Sequence, residues 1–139
     1  MKTIKVGRKT IKYESENFEY FQPNTHSCGD CSIRAVVKAT NSNWYTVFDG
    51  LTEIARKMQT LPNDRKVVDK YLKDKGFTWV PVNPRSGEKR PTVKQFAKEH
   101  KETCVLSVAS HLTSCRGGKF YDTWDCGNRS LYGYWIKKD

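Results

Sequence analysis

Apolar residues recur first at helical spacing and later at alternate positions, with the change near Glu102. Before it, Ile33, Val36, Val37 and Thr40 share one helical face, and Asp30 or Ser27 is placed to cap the first turn. Asn41 to Asn43 interrupt this pattern. Trp44, Val47, Phe48, Leu51, Ile54, Ala55 and Met58 then predict a second helix, with that run facing the core. Pro62-Asn63-Asp64 restarts a third, carrying Val67, Val68, Tyr71 and Leu72 and ended by Gly76. Phe77 to Val82 suit a strand, Pro84 to Arg90 a basic loop, and Thr92 caps a short helix with Val93, Phe96 and Ala97 inward.

After Glu102 the alternation predicts three short strands, over 104–111, 119–124 and 131–136. Gly117-Gly118 joins the first two as a tight hairpin, because adjacent glycines supply the positive φ angles it needs. At the other end, Ile4, Val6, Thr10, Ile11 and Tyr13 flank Gly7-Arg8 as a second hairpin, while 17–30 read as an irregular loop. Helices first and an antiparallel sheet last make an α+β arrangement. Residues 1–139 form one domain, with 1–13 as a basic β-hairpin or arm.

A chain of 139 residues, 37% hydrophobic and 12% aromatic, buries a core without staples and is not disordered. No apolar run approaches the roughly 20 residues of a membrane span, and the start lacks a signal-peptide core, so a soluble cytoplasmic protein is expected. Lys+Arg 25 against Asp+Glu 15 gives +10, and Lys2, Lys5, Arg8, Lys9 and Lys12 concentrate part of it. That balance permits weak binding to nucleic acid or another polyanion, although no zinc finger, RNA-binding aromatic motif or helix-turn-helix accompanies it. Five cysteines, an odd number, favour free thiols in a reducing compartment.

Three features bear on chemistry. Cys31, in Ser27-Cys28-Gly29-Asp30-Cys31, starts the first helix, where the positive end of the helix dipole favours a thiolate. His111 ends an apolar strand. Asp122 returns on the next strand, and the Gly117-Gly118 register sets Asp122 opposite Thr113 and Trp124 opposite His111. His111 and Asp122 then share a face as diagonal neighbours, close enough for the carboxylate to fix the imidazole tautomer. Asp125, of opposite parity, is the alternative acid. A thiol at a helix start with a downstream His and acid is what nucleophilic thiol catalysis requires.

The stretch Ser27-Cys28-Gly29-Asp30-Cys31 resembles the Cys-Gly-Ser/Ala-Cys active-site segment of papain-like cysteine peptidases, and Asp122-Thr123-Trp124 resembles their Asn-Ser-Trp. The likeness covers about ten residues, plus the chain order, and is similar in style to small papain-fold proteins of phages and Gram-positive bacteria. It implies a papain-like fold, with the Cys helix packed on the C-terminal sheet. It also implies a hydrolase of peptide, isopeptide or other amide bonds, with Cys31 as nucleophile, His111 as general base and Asp122 as orienting group. Thr25 stands where the family has its oxyanion-hole Gln, and Ser32 where it has an aromatic. Asn24 or Gln22 is then the substitute donor beside the Cys31 N–H.

Competing readings use the same cysteines. A zinc site would draw on His26, Cys28, Cys31, His100 and Cys104, but only one compact Cys-x-x-Cys pair exists. A thioredoxin-type dithiol needs a buried strand before the helix, and 18–27 offer none. The resulting expectation is a protein or peptide substrate, no cofactor or metal, and no membrane. The alternative is a non-catalytic binding module with a papain-like frame and a basic face for polyanions.

Overall fold

A computed structural model of the chain describes residues 1–26 and 28–137. The predicted N-terminal hairpin forms as β1 (Lys2–Val6) and β2 (Lys9–Tyr13), a two-stranded sheet of its own with Ile4 opposite Ile11. Three helices follow: α1 (Cys31–Thr40), α2 (Trp44–Met58) and α3 (Arg65–Asp74). Capping sets two of their starts: Asn43 accepts from the Thr46 N–H at 2.9 Å and Asp64 from the Lys66 N–H at 2.9 Å. Asp30 occupies the N-cap of α1 without a side-chain capping bond. The alternative cap, Ser27, lies outside the described residues. A short helix, α4 (Val93–Glu99), opens with the reciprocal bonds of Thr92 and Gln95.

The main sheet has six strands: β3 (Phe18–Tyr20), β4 (Phe77–Pro81), β5 (Cys104–Val108), β6 (His111–Arg116), β7 (Lys119–Asp122) and β8 (Gly133–Lys137), in the order β3-β7-β6-β5-β8-β4. Alternation splits the core in two. Val105, Leu112 and Trp135 face the valines and leucines of α1, α2 and α3. Cys104, Leu106, Cys115 and Phe120 face α4, with Ile11 and Tyr13 of β2 packed against that side. The sheet is therefore a middle layer, and the architecture is α+β.

Four expectations need correction. The strand predicted over 104–111 is two, because the chain reverses at Ala109-Ser110 between the paired Val108 and His111. Ser110 itself takes φ +53°, so no glycine announces the turn. The supposed loop contains β3, which pairs in parallel with β7, so the sheet is mixed rather than antiparallel. Strands β3 and β4 also put part of the sheet before Glu102. On α2, Val47, Leu51 and Ala55 are buried, whereas Phe48 and Met58 stand 36% and 44% exposed at the edge of the stripe.

Candidate active site

The hairpin register of β6 and β7 positions the first pair. Ser114 faces Tyr121 and Arg116 faces Lys119 across Gly117-Gly118, which sets His111 and Asp122 on one face, a diagonal apart. His111 Nε2 donates to Asp122 Oδ2 at 2.6 Å. Cys31, the first residue of α1, lines one cavity with His111 and Leu112, and the titration of its thiol depends on both. The structure thus brings Cys31 and His111 to one cavity and joins His111 to Asp122. Trp124, 5.0 Å from His111 between ring centroids, covers the imidazole.

Asp122 is held from several sides. It is 2% exposed and Oδ1 accepts the Thr123 N–H at 2.7 Å. The Cys126 thiol donates to Oδ2 at 3.4 Å, and Arg34 Nη2 lies 3.4 Å from Oδ1. Arg34 sits three residues after Cys31, nine-tenths buried, and its Nη1 pairs with Asp30 Oδ1 at 2.5 Å. Asp30 in turn accepts from Trp44 Nε1 at 2.8 Å. This explains the missing cap. The Asp30 carboxylate is turned to Arg34 and Trp44, so the first-turn amides of α1 around Cys31 receive no bond from it.

The electrostatics separate charge across the thiol and the imidazole. Burial pushes the Cys31 thiol up, but the His111 hydrogen bond, the Leu112 N–H and the charges of His111 and Arg34 outweigh it, so it titrates below its ordinary 9.0. Burial pushes His111 down, yet its bonds to Asp122, Cys126 and Cys31 prevail and raise it from 6.5 to about 11. Asp122 stays below the usual carboxylate range: burial opposes ionisation, and His111 with its hydrogen bond and charge overcomes it. Both shifts act in the direction of a thiolate–imidazolium pair. Cys31 and His111 open onto a cavity of about 230 Å³, lined by Ser32, Asn63, Arg65, Ser107 and Ser110 among others.

The remaining candidates lie elsewhere. Asp125 does not touch His111. It accepts the Glu14 and Ser15 N–H groups at 2.9 and 2.8 Å, the Ser15 hydroxyl at 2.8 Å and the Gly127 N–H at 2.9 Å, clasping the N-terminal segment to the loop after β7. Gln22 Oε1 accepts from the Tyr20 hydroxyl at 2.8 Å and Asn24 Nδ2 donates to the His26 carbonyl at 2.6 Å. Neither Gln22 nor Asn24 lines the thiol cavity. The zinc set is dispersed: His100 stacks on Phe96 at 3.8 Å, and Cys104 is buried opposite Cys115.

Sequence reasoning missed Arg34 and Cys126. A buried Arg at a helical offset reads as a solvated charge. Cys126, four residues past Asp122, carries no signal of its own. Its ligating atom lies within 4.8 Å of those of His111 and Asp122, and the latter two share the 2.6 Å hydrogen bond. No described helix is long and apolar enough to cross a membrane. Compared with family models, curated proteins and solved structures, the chain matches none.

Proposed function

We propose that the protein is a papain-like thiol hydrolase that cleaves a peptide, isopeptide or other amide bond through a Cys31-His111-Asp122 triad. The observation that carries the reading is an imidazole hydrogen-bonded to a buried carboxylate and sharing one cavity with a helix-start thiol whose titration it lowers. The Cys31 thiolate attacks the carbonyl carbon, and the oxyanion takes hydrogen bonds from the first-turn amides of α1. His111 gives its proton to the departing amine as the C–N bond breaks, leaving a thioester on Cys31. Water, losing a proton to His111, then attacks the thioester and releases the acid and the thiolate. Asp122 keeps the imidazole in the required tautomer throughout.

The test is a burst experiment with p-nitrophenyl acetate, an activated ester that needs no specificity pocket. Acylation of Cys31 releases about one equivalent of p-nitrophenolate per chain before slow turnover. Cys28→Ala keeps the burst and Cys31→Ala abolishes it. A burst that survives Cys31→Ala overturns the proposal.

A second reading, polyanion binding, is favoured by one observation. A cavity of about 510 Å³ away from the thiol is lined by Lys94, Lys98, Lys101 and Lys119 against Glu14 and Glu16, and the outer face of the basic hairpin carries Lys5 and Lys12. On this reading a single-stranded oligonucleotide binds at low salt, weakens steeply as counterions return to the phosphates, and is indifferent to Cys31→Ala. Fluorescence anisotropy across a salt series decides it, and no binding at low salt removes it.

A further inference from the structure

The thiol cavity holds a cation that the acyl chemistry does not use. Arg65, the first residue of α3, lines the same space as Cys31 and His111. Its guanidinium lies 4.6 Å from the ring centroid of Trp79 and 4.6 Å from that of Trp135. Those two indoles are cross-strand partners on β4 and β8. Gly133 gives Trp79 its seat, because a Cβ there would meet Trp79 Cη2 at 2.2 Å. A planar cation backed by two strand-borne rings is held in place rather than left to swing.

The nearest carboxylate to that cation is Asp69, whose charge Arg65 feels without an ion pair forming between them. Asp69 stands one turn along α3, but its Oδ1 accepts from Trp135 Nε1 at 2.8 Å and its Oδ2 pairs with Lys73 at 2.9 Å. Among the described residues Arg65 forms no ion pair, and no carboxylate lines the cavity. Arg65 and His111 both line this cleft of about 230 Å³, and Arg65 also borders a neighbouring space of about 300 Å³ with Asp69, Lys73 and the two indoles. The cleft itself is below the roughly 300–1,000 Å³ of sites that take drug-sized ligands. The space suits one short anionic group beside the reacting carbonyl.

We propose that Arg65 is the specificity residue of this cleft and selects acyl substrates bearing a carboxylate next to the scissile carbonyl. This rests on the thiol-hydrolase reading above. The carboxylate can belong to an acidic side chain or to a free chain terminus, and both would meet the guanidinium through the same paired hydrogen bonds.

Alkylation of Cys31 tests this without a known substrate. Iodoacetate and iodoacetamide react alike, the thiolate sulfur forming an S–C bond as iodide leaves, and differ chiefly in charge. Peptide mass spectrometry follows both rates at Cys31 in the wild type, Arg65→Gln and Arg65→Lys. The expected result is an iodoacetate-to-iodoacetamide ratio that falls roughly five- to tenfold in Arg65→Gln and less in Arg65→Lys. Protection of Cys31 from iodoacetamide by N-acetyl-aspartamide identifies a side-chain carboxylate, and protection by N-acetyl-alanine identifies a terminal one. A ratio unchanged in Arg65→Gln, or protection by neither compound, overturns the role of Arg65 while leaving the thiolate standing. If Cys31 reacts with neither reagent, the hydrolase reading falls first and the specificity falls with it.

Discussion

Arg34→Ala is expected to lower stability by about 3–5 kcal/mol, the cost of removing one partner from a buried ionic cluster. Arg34 bridges Asp30 and Asp122, both largely buried, and its loss leaves Asp30 without a cation. Across a domain of this size that corresponds to a melting temperature lower by roughly 10–20 °C, readable by circular dichroism. Arg34→Lys recovers only part, because one ammonium cannot reproduce a fork spanning two carboxylates. The pH dependence has a definite sign. Asp122 titrates below its ordinary 3.8, so its ionic contribution is complete above that value and is lost as pH falls through the lower folded value. Because His111 is the main source of that lowering, wild type and Arg34→Ala lose this contribution alike in acid. A loss below about 1 kcal/mol at neutral pH, in the range of an exposed ion pair, contradicts the account of this cluster.

The second large effect concerns Asp122. Asp122→Ala should slow acylation of Cys31 by about 10³-fold or more, because a triad acts as a unit. The imidazole loses the acceptor that fixes its tautomer, and the imidazolium loses its counter-charge. Asp122→Asn should keep more activity, since an amide oxygen still accepts from Nε2. In both variants the His111 titration, followed by NMR of the ring, should fall from about 11 toward its ordinary 6.5. The sign follows from linkage: His111 stabilises the fold below pH 6.5 in full, and this contribution fades as pH rises through about 11. Equal rates in Asp122→Ala and wild type contradict the assignment.

The parts of this molecule legible in its sequence are those governed by short-range rules. Val67, Val68, Tyr71 and Leu72 lie at helical offsets and all four are buried. Thr92 precedes Gln95 by three residues and makes the capping box. Gly117-Gly118 dictates a two-residue turn, and from that register the meeting of His111 with Asp122 follows by counting.

Long-range contacts left no comparable mark. Phe18–Tyr20 is a strand only because β7, a hundred residues later, lies beside it. Ala109-Ser110 turns the chain without glycine, proline or asparagine, at the expense of a left-handed serine. Arg34 is invisible for a related reason: its partners are four and 88 residues away, and only the tertiary fold makes a charge at that offset a buried bridge. Asn24 gives its amide to the His26 carbonyl and Gln22 accepts from Tyr20, and neither lines the thiol cavity.

The central claim is that His111 lowers the Cys31 thiol below its ordinary value and makes it the reactive cysteine. Its most direct test is the rate of iodoacetamide labelling of each cysteine from about pH 5 to 10, resolved by peptide mass spectrometry. Cys31 should label fastest at neutral pH, with its inflection below the ordinary 9.0, and His111→Ala should move that inflection upward. Cys115 and Cys126, whose thiols are pushed up, should lag throughout. An inflection at or above 9.0 for Cys31, unchanged in His111→Ala, would contradict the account.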